Sequence, residues 1–397
     1  MPTKHLLKVA GAIGAAALVL AGCSSSGGSS SPSASGNGNG LPAIKAYAGP
    51  VGAGEGALNV LDWPGYAMPQ WVKPFEQQTG CKVNVKDFGT SDEAVQLMHS
   101  GGYDVVSASG DATLRLIYGG TVQPVNTSLV PNYADVNAQL KNQPFNTVAG
   151  INYGIPHGRG ANVLEYNTTV VKPAPTSWNI TWEKNSPYAG KITAYDSPIF
   201  IADAAIYLMA HQPSLGIKDP YALDQTQFDA AMALLKQQKP MIEEYWGDAT
   251  KQISAFSKGT LVAGTSWQYN VFAAQANKAP VSSVLPSEGA TGWSDTWMVA
   301  AKTQHINCAY KWLDWIISPK VNAQVAEYFG EAPSNNKSCA YTQDKTFCAQ
   351  YHATDAPYWK KVWFWTTPTA KCLDGRTNVQ CVPYDKWSIA WSTMRSS

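Results

Sequence analysis

The sequence predicts an α/β fold built as two lobes, each a mostly parallel sheet flanked by helices. Three observations predict it. Strand-like runs alternate with helical patterns from Ala57 onward, a second such set lies between Lys191 and Trp267, and the globular part of the 397-residue chain is long enough for two domains.

Taken in order, Ala57 to Asp62 reads as a strand, and Trp63-Pro-Gly-Tyr66 as the turn at its carboxyl end. Pro69 opens a helix with Val72 and Phe75 one turn apart, and Gly80 stops it. Cys81 to Val85 reads as a second strand, followed by a helix from about Ser91 to His99 capped by Ser91 or Thr90. Tyr103 to Val106 is the third strand. This alternation implies a parallel sheet covered by helices, and in such sheets ligands bind beyond the carboxyl ends of the strands. Trp63 and Tyr66 stand at one such end and Ser107-Ala-Ser-Gly-Asp111 at another. Farther on, Lys191 to Ala194 reads as a strand, Ala202 to Ala210 as an apolar helix, and Thr226 to Lys239 as a helix carrying Phe228, Met232 and Leu235. Leu261 to Thr265 is a buried strand leading into Trp267. Gly289 and Gly292 mark a turn before the strand Trp297 to Ala300. Ala309, Trp312 and Ile316, then Val321, Val325 and Tyr328, form the stripes of two helices, the second closed by Gly330.

Lys4, His5 and Lys8 precede an apolar run from Val9 to Val19 that is too short to span a bilayer comfortably and leads into Leu20-Ala21-Gly22-Cys23. Residues 1–22 resemble a bacterial lipoprotein signal, with Cys23 as the lipidated first residue of the mature chain. An ordinary secretory signal cleaved elsewhere is the competing reading, and either one exports the protein. Residues 23–56 open as a Ser/Gly-rich stretch and read as a flexible tether. With 29 basic against 28 acidic residues and no basic run outside the signal, nucleic acid is not an expected partner. No later run reaches membrane-spanning length, so attachment to a membrane rests on Cys23 alone.

Six further cysteines, an even number in an exported chain, argue for disulfides. Fifteen pairings are open to them. Short loops favour Cys339–Cys348 and Cys372–Cys381, which leaves Cys81–Cys308 as a long-range staple. None of the six has a C-x-x-C neighbour and the six histidines lack ligand spacing, so no metal and no other cofactor is expected.

Trp293 and Asp295 lie two residues apart, and an extended chain places both on one face. A ring beside a carboxylate suits an organic cation, through a cation-π contact and accepted N–H bonds. The competing reading is a core Trp next to a turn-capping Asp.

Several motifs carry a resemblance. Trp63-Pro-Gly-Tyr66, Tyr103-Asp-Val-Val106, Ile155-Pro156, Thr176-Ser-Trp178, Gly259-Thr-Leu-Val-Ala-Gly-Thr-Ser-Trp267, Pro286-Ser-Glu-Gly289, Trp293-x-Asp295 and Val321-x-x-Gln-Val-Ala-Glu327 occur in this order. They resemble the extracellular solute-binding proteins of ABC importers, nearest the polyamine (spermidine/putrescine) group, from about Leu58 to Asn335. The resemblance implies the type II periplasmic-binding-protein fold, with the solute clamped between two lobes. Chain crossings fall near Ile155 to Arg159 and Trp293 to Trp297. Lobe 1 then comprises 57–157 plus 296–345, and lobe 2 comprises 158–295 plus 346–397, including a disulfide-bearing C-terminal extension.

By motif position Trp63, Tyr66, Trp267 and Trp293 are the expected rings and Asp295 the anchoring carboxylate. Departures from the family pattern make Asp196, Asp203 and Glu331 candidates for a second carboxylate, Glu331 being equally a rim residue. Asp111 and Asp248 are further candidates, with helix or turn capping as the competing role. Catalytic signatures are wanting: Gly264-Thr-Ser-Trp-Gln268 lacks the second glycine of a nucleophile elbow, and Ser334-Asn-Asn-Lys337 lacks its companion elements. The expectation is a monomeric, non-enzymatic, lipid-anchored binding protein on the outer side of a bacterial cell membrane. It would deliver a small cationic amine to a permease and its ATPase subunits. The alternatives are another amine or zwitterion, such as an opine, an amino-acid derivative or thiamine, and, from another class, an anchored secreted hydrolase.

Overall fold

The computed structural model describes residues 40–397, so the expected export signal, Cys23 and the front of the expected tether lie outside the described residues. The tether expected to run flexibly to residue 56 ends sooner. Leu41 is buried among side chains of the first sheet's layer, and Glu55 caps a helix, accepting from the backbone N–H groups of Asn307 (2.8 Å) and Cys308 (3.0 Å). A carboxylate at the positive end of a helix is stabilising, which holds this segment against the fold.

β1 (Ala57–Asp62) sends Leu58 and Val60 to one face and Leu61 to the other, so both faces of its sheet are covered. The pattern continues through α1 (Pro69–Thr79), β2 (Lys82–Asp87), α2 (Ser91–Ser100), β3 (Val105–Ala108), α3 (Gly110–Tyr118) and β4 (Val122–Gln123). β1 pairs in parallel with both β2 and β3. Thr90, rather than Ser91, caps α2 by accepting from the Glu93 N–H at 3.1 Å. β3 begins two residues later than its expected start at Tyr103, because the Asp104 carboxylate turns back to take the Asn59 N–H at 2.7 Å. Its carboxyl end therefore delivers Ser109.

A small hairpin, β5 (Thr147–Val148) and β6 (Ile151–Asn152), precedes β7 (Ile155–Pro156) and β8 (Gly158–Asn167). β8 is buried along its whole length and is the hub of a second sheet. That sheet is assembled from α4 (Asn179–Trp182), β9 (Ile192–Tyr195), α5 (Ile201–His211), α6 (Gln225–Gln238), β10 (Ile242–Trp246), α7 (Ala249–Lys258), β11 (Ala263–Trp267), α8 (Gln268–Ala276), β12 (Val281–Val284) and β13 (Ala290–Trp293). β9 lies between β10 and β11, parallel to both, and β11 is antiparallel to β8. β11 also starts two residues later than expected, since Thr260 N–H still bonds the Ala255 carbonyl at the end of α7.

β14 (Thr296–Ala300) returns to the first sheet and lies between β3 and β4. α9 (Ile306–Ile316) and α10 (Pro319–Phe329) pack on that sheet, and β15 (Ala332–Pro333) crosses back to β8. Beyond it come α11 (Phe347–Gln350), α12 (Ala356–Trp359), β16 (Val362–Phe364) and α13 (Tyr384–Ser396). β16 extends the second sheet along β13, and α13 buries Trp387, Trp391 and Met394 in that sheet's core.

Three disulfides join Cys81 to Cys308, Cys339 to Cys348 and Cys372 to Cys381. The first ties the chain before β2 to α9 across 227 residues of sequence, so it restricts the unfolded chain most. Replacing both Cys81 and Cys308 by Ala should cost about 2–5 kcal/mol. Thermal melts under non-reducing conditions test this, and an unchanged midpoint would contradict it.

Candidate functional site

Where the chain passes between the sheets, the crossings are bonded to one another. His157 N–H donates to the Asp295 carbonyl (2.8 Å), Ser294 Oγ to the Gly158 carbonyl (2.8 Å) and Ser334 N–H to the His157 carbonyl (3.2 Å). Gly158 has no side chain for a reason: a Cβ there would lie 2.2 Å from the Glu331 carboxyl carbon. Tyr66, from the turn after β1, reaches into this knot and is fully buried. Its hydroxyl lies 2.7 Å from Asp295 Oδ2 and 3.1 Å from Glu331 Oε2, while Ser109 Oγ donates to Asp295 Oδ1 at 2.5 Å.

A phenol has one proton and serves one carboxylate at a time. The shorter contact identifies Asp295 as its acceptor, and the longer one is a bond when Glu331 keeps its own proton and donates back. Burial pushes the Asp295 carboxyl up to about 6, with the Ser109 and Tyr66 bonds pulling it down. Glu331 goes well above the carboxylate range, through burial first and the Asp295 charge second. His157 Nε2 is 3.7 Å from Glu331 Oε1, an ion-pair distance, yet burial drags the imidazole down to about 3. It is neutral and supplies no counter-charge. Near neutral pH the knot thus holds one negative charge, on Asp295.

Aromatic rings stand beside it. Tyr195, Trp246 and Trp267 end β9, β10 and β11, so the parallel pairing brings them together, Tyr195 at 5.0 Å from Trp246 and 5.7 Å from Trp267. Trp293 ends β13, 6.5 Å from Trp267 and 5.8 Å from Phe329. Gly160 gives its ring room, since a Cβ there would come within 2.3 Å. Trp63 packs edge-on against Phe88 at 4.6 Å. Two surface hollows of about 430 Å³ lie elsewhere and contain none of these residues. Trp293 and Asp295 are 5 % and 2 % exposed, both buried.

A buried carboxylate and a set of aromatic rings thus lie together where the chain passes between the two sheets. The sequence matches bacterial extracellular solute-binding proteins over residues 70–351. The chain belongs to that family. It is 24% identical over 282 residues to the spermidine/putrescine-binding periplasmic protein of Escherichia coli, which covers 70% of this chain and 77% of that one. It is 25% identical over 305 residues to the putrescine-binding periplasmic protein of the same organism, 72% and 80% of the two chains. Among solved structures, a lipoprotein of Treponema pallidum superposes with a TM-score of 0.70 at 17% identity, over 86% of this chain and 100% of the other. The fold is the two-lobed one of periplasmic binding proteins, and the family consists of solute-binding transport proteins rather than enzymes.

Within this solute-binding fold, Tyr66, Asp295 and Glu331 come together, with Trp293 and Trp267 on the adjoining face. Glu331 is fully buried, so it is no rim residue. The other carboxylates are engaged elsewhere. Asp111 accepts from Ser91 Oγ (2.9 Å) beside Arg115; Asp248 caps α7 through the Thr250 N–H (2.8 Å). Asp203 accepts from Thr291 Oγ1 (2.9 Å), and burial lifts it to about 8. Asp196 is held by Arg395 Nε (3.0 Å) and Nη2 (3.1 Å) and by the Trp391 indole (3.2 Å). Sequence reasoning left out Tyr195 and Trp246, although each ends a strand and that position was their signal, and it placed Ser109 at a strand end without singling it out. It also left out Trp365, whose ring stacks on Tyr195 at 5.6 Å and for which the sequence offered no signal.

Replacing Tyr66 by Phe removes the hydroxyl that bridges two buried carboxyls, donating to Asp295 and accepting from Glu331. It should cost about 1–3 kcal/mol of stability, since a buried acceptor then lacks its partner. Chemical denaturation measures this, and a midpoint equal to that of the parent would contradict the bridging role.

Proposed function

We propose that this protein is the lipid-anchored, monomeric receptor of an ABC importer. It captures a small cationic amine between the lobes 57–157 plus 296–345 and 158–295 plus 346–397, and delivers it to the permease and its ATPase subunits. The observation that carries the reading is Asp295: one buried negative charge, with donors from Ser109 and Tyr66 but no cation, beside aromatic faces. An uncompensated charge in a dry cleft is costly, and an ammonium offsets it while its methylenes and charge lie against Trp293 and Trp267. Trp63 is proposed to close the other side of the solute.

The names of relatives that bind spermidine or putrescine support the solute class. Leu20-Ala21-Gly22-Cys23 supports anchoring through Cys23, with the protein on the outer side of the cell membrane. Opening and closing about the crossings admits and encloses the solute, and the ligand shifts the population toward the closed form.

Replacing Asp295 by Asn keeps the shape and removes the charge. Affinity for putrescine or spermidine should fall by about 2–5 kcal/mol, the scale of a buried charge pair losing one member. Calorimetric titration with unchanged affinity would remove Asp295 from the site.

Acidity offers a second check. The bound ammonium needs the Asp295 anion, so affinity should hold above pH 6 and fall about tenfold per unit below it. The contribution of Asp295 to ligand-free stability has the opposite sign. Its folded pKa is raised from 3.8 to about 6, so that stability is present below the lower value and lost as pH rises through the upper one. An affinity that stays constant from pH 7 to pH 5 would refute the assignment.

A further inference from the structure

The match to the family ends at residue 351, and the chain beyond it reaches the cleft. β16 pairs in parallel with β13, Gly292 opposite Phe364, which brings Trp365 abreast of Trp293. Trp365 is held from both sides. Its N–H donates to the Gly292 carbonyl of the second sheet (2.7 Å), and its carbonyl oxygen abuts Gly110 of α3, where a Cβ would fall 1.7 Å away. Two residues on, Thr367 N–H bonds the Gly110 carbonyl at 2.9 Å. Trp365 therefore sits between the lobes.

Its side chain is 4 % exposed and stacks on Tyr195 with ring planes 15° apart. The indole N–H has no hydrogen-bond partner among the described residues. A buried donor of this kind calls for an acceptor.

The same extension changes the charge of that face. Arg395 and Trp391 of α13 occupy both oxygens of Asp196. Asp203 is bonded to Thr291 and Asp248 caps α7, so none of these three carboxylates is free for a second ammonium.

Resting on the amine-capture reading above, we infer that Trp365 is a solute-contacting residue that sets specificity. It selects solutes with one ammonium for Asp295 and, at the far end, a hydrogen-bond acceptor for its indole N–H, over diamines of the same length. A second ammonium at that end meets a ring and a donor, while Asp111, the carboxylate whose charge reaches Tyr195 most strongly, is already held by Ser91 Oγ beside Arg115, and so it is buried without a free acceptor.

The test is calorimetric titration of the full chain with 4-aminobutan-1-ol and 1,4-diaminobutane, on the parent, Trp365→Phe and Trp365→Ala. Phe keeps a ring stacked on Tyr195 and removes the donor. The amino alcohol should bind the parent about tenfold tighter or more than the diamine. Trp365→Phe should shrink that preference about fivefold, the worth of one neutral hydrogen bond. Trp365→Ala should weaken both ligands, with thermal melts confirming that each variant is folded. Equal or tighter binding of the diamine by the parent would overturn the inference while leaving amine capture standing. A preference unchanged in a folded Trp365→Phe would do the same. Failure of both ligands to bind the parent would overturn amine capture and this inference together.

Discussion

One phenol hydroxyl set between two buried carboxyls is the constraint around which the structure is arranged. Tyr66 comes from the first sheet, Asp295 from the second crossing and Glu331 from the third, and Gly158 of the first crossing has no side chain so that Glu331 fits. Two carboxylates at this spacing cannot both be charged in a buried site. One proton must be retained, and neutral His157 does not relieve the remaining charge on Asp295. The bonded crossings between the sheets and the buried charge are therefore built from the same residues. On the proposed function this links binding to closure. Closing the lobes takes Asp295 out of water, and only a cationic solute compensates it there, which is the differential affinity that a ligand-driven population shift requires.

The rings follow from a different part of the physics. Parallel strands present their carboxyl ends on one edge, so Tyr195, Trp246 and Trp267 gather there without sequence proximity. Edge-to-face and tilted contacts among them hold each ring in place. A rigid aromatic face of this kind costs little conformational entropy when a solute is laid on it. Trp293 joins it from β13, so the residue pair Trp293 and Asp295 spans the break between two strands. One member belongs to the rings of the second sheet and the other to the bonded knot at the crossings.

What was legible in the sequence was local periodicity and short-range chemistry. The strand at Ala57–Asp62, the helix bounded by Pro69 and Gly80, and the stripes of α9 and α10 follow from spacing and terminators that each segment carries itself. Strand starts slipped by two residues where a side chain or a helix end competes for the backbone, at Asp104 and at Thr260. Long-range events were illegible. Glu331 read as either a second carboxylate or a rim residue because nothing adjacent to it announces that Tyr66, 265 residues away in sequence, is its partner. The segment from Leu41 to Glu55 read as tether because its Gly, Pro and Ala residues carry no helical or strand periodicity to announce a cap set on Asn307 and Cys308.

Asp196 shows why a motif position alone does not fix a ligand contact. It stands just beyond β9, at the strand end where a binding carboxylate belongs, but a guanidinium from residue 395 and an indole from residue 391 take its oxygens. Both partners come from the part of the chain beyond the family match. The same segment inserts Trp365 against Tyr195, the residue immediately before Asp196. The C-terminal segment thus takes up the Asp196 carboxylate and adds an aromatic surface with a donor beside Tyr195. The two changes act in the same direction. On the proposed function, together with the charge kept on Asp295, they make the cleft charged at one end and aromatic at the other.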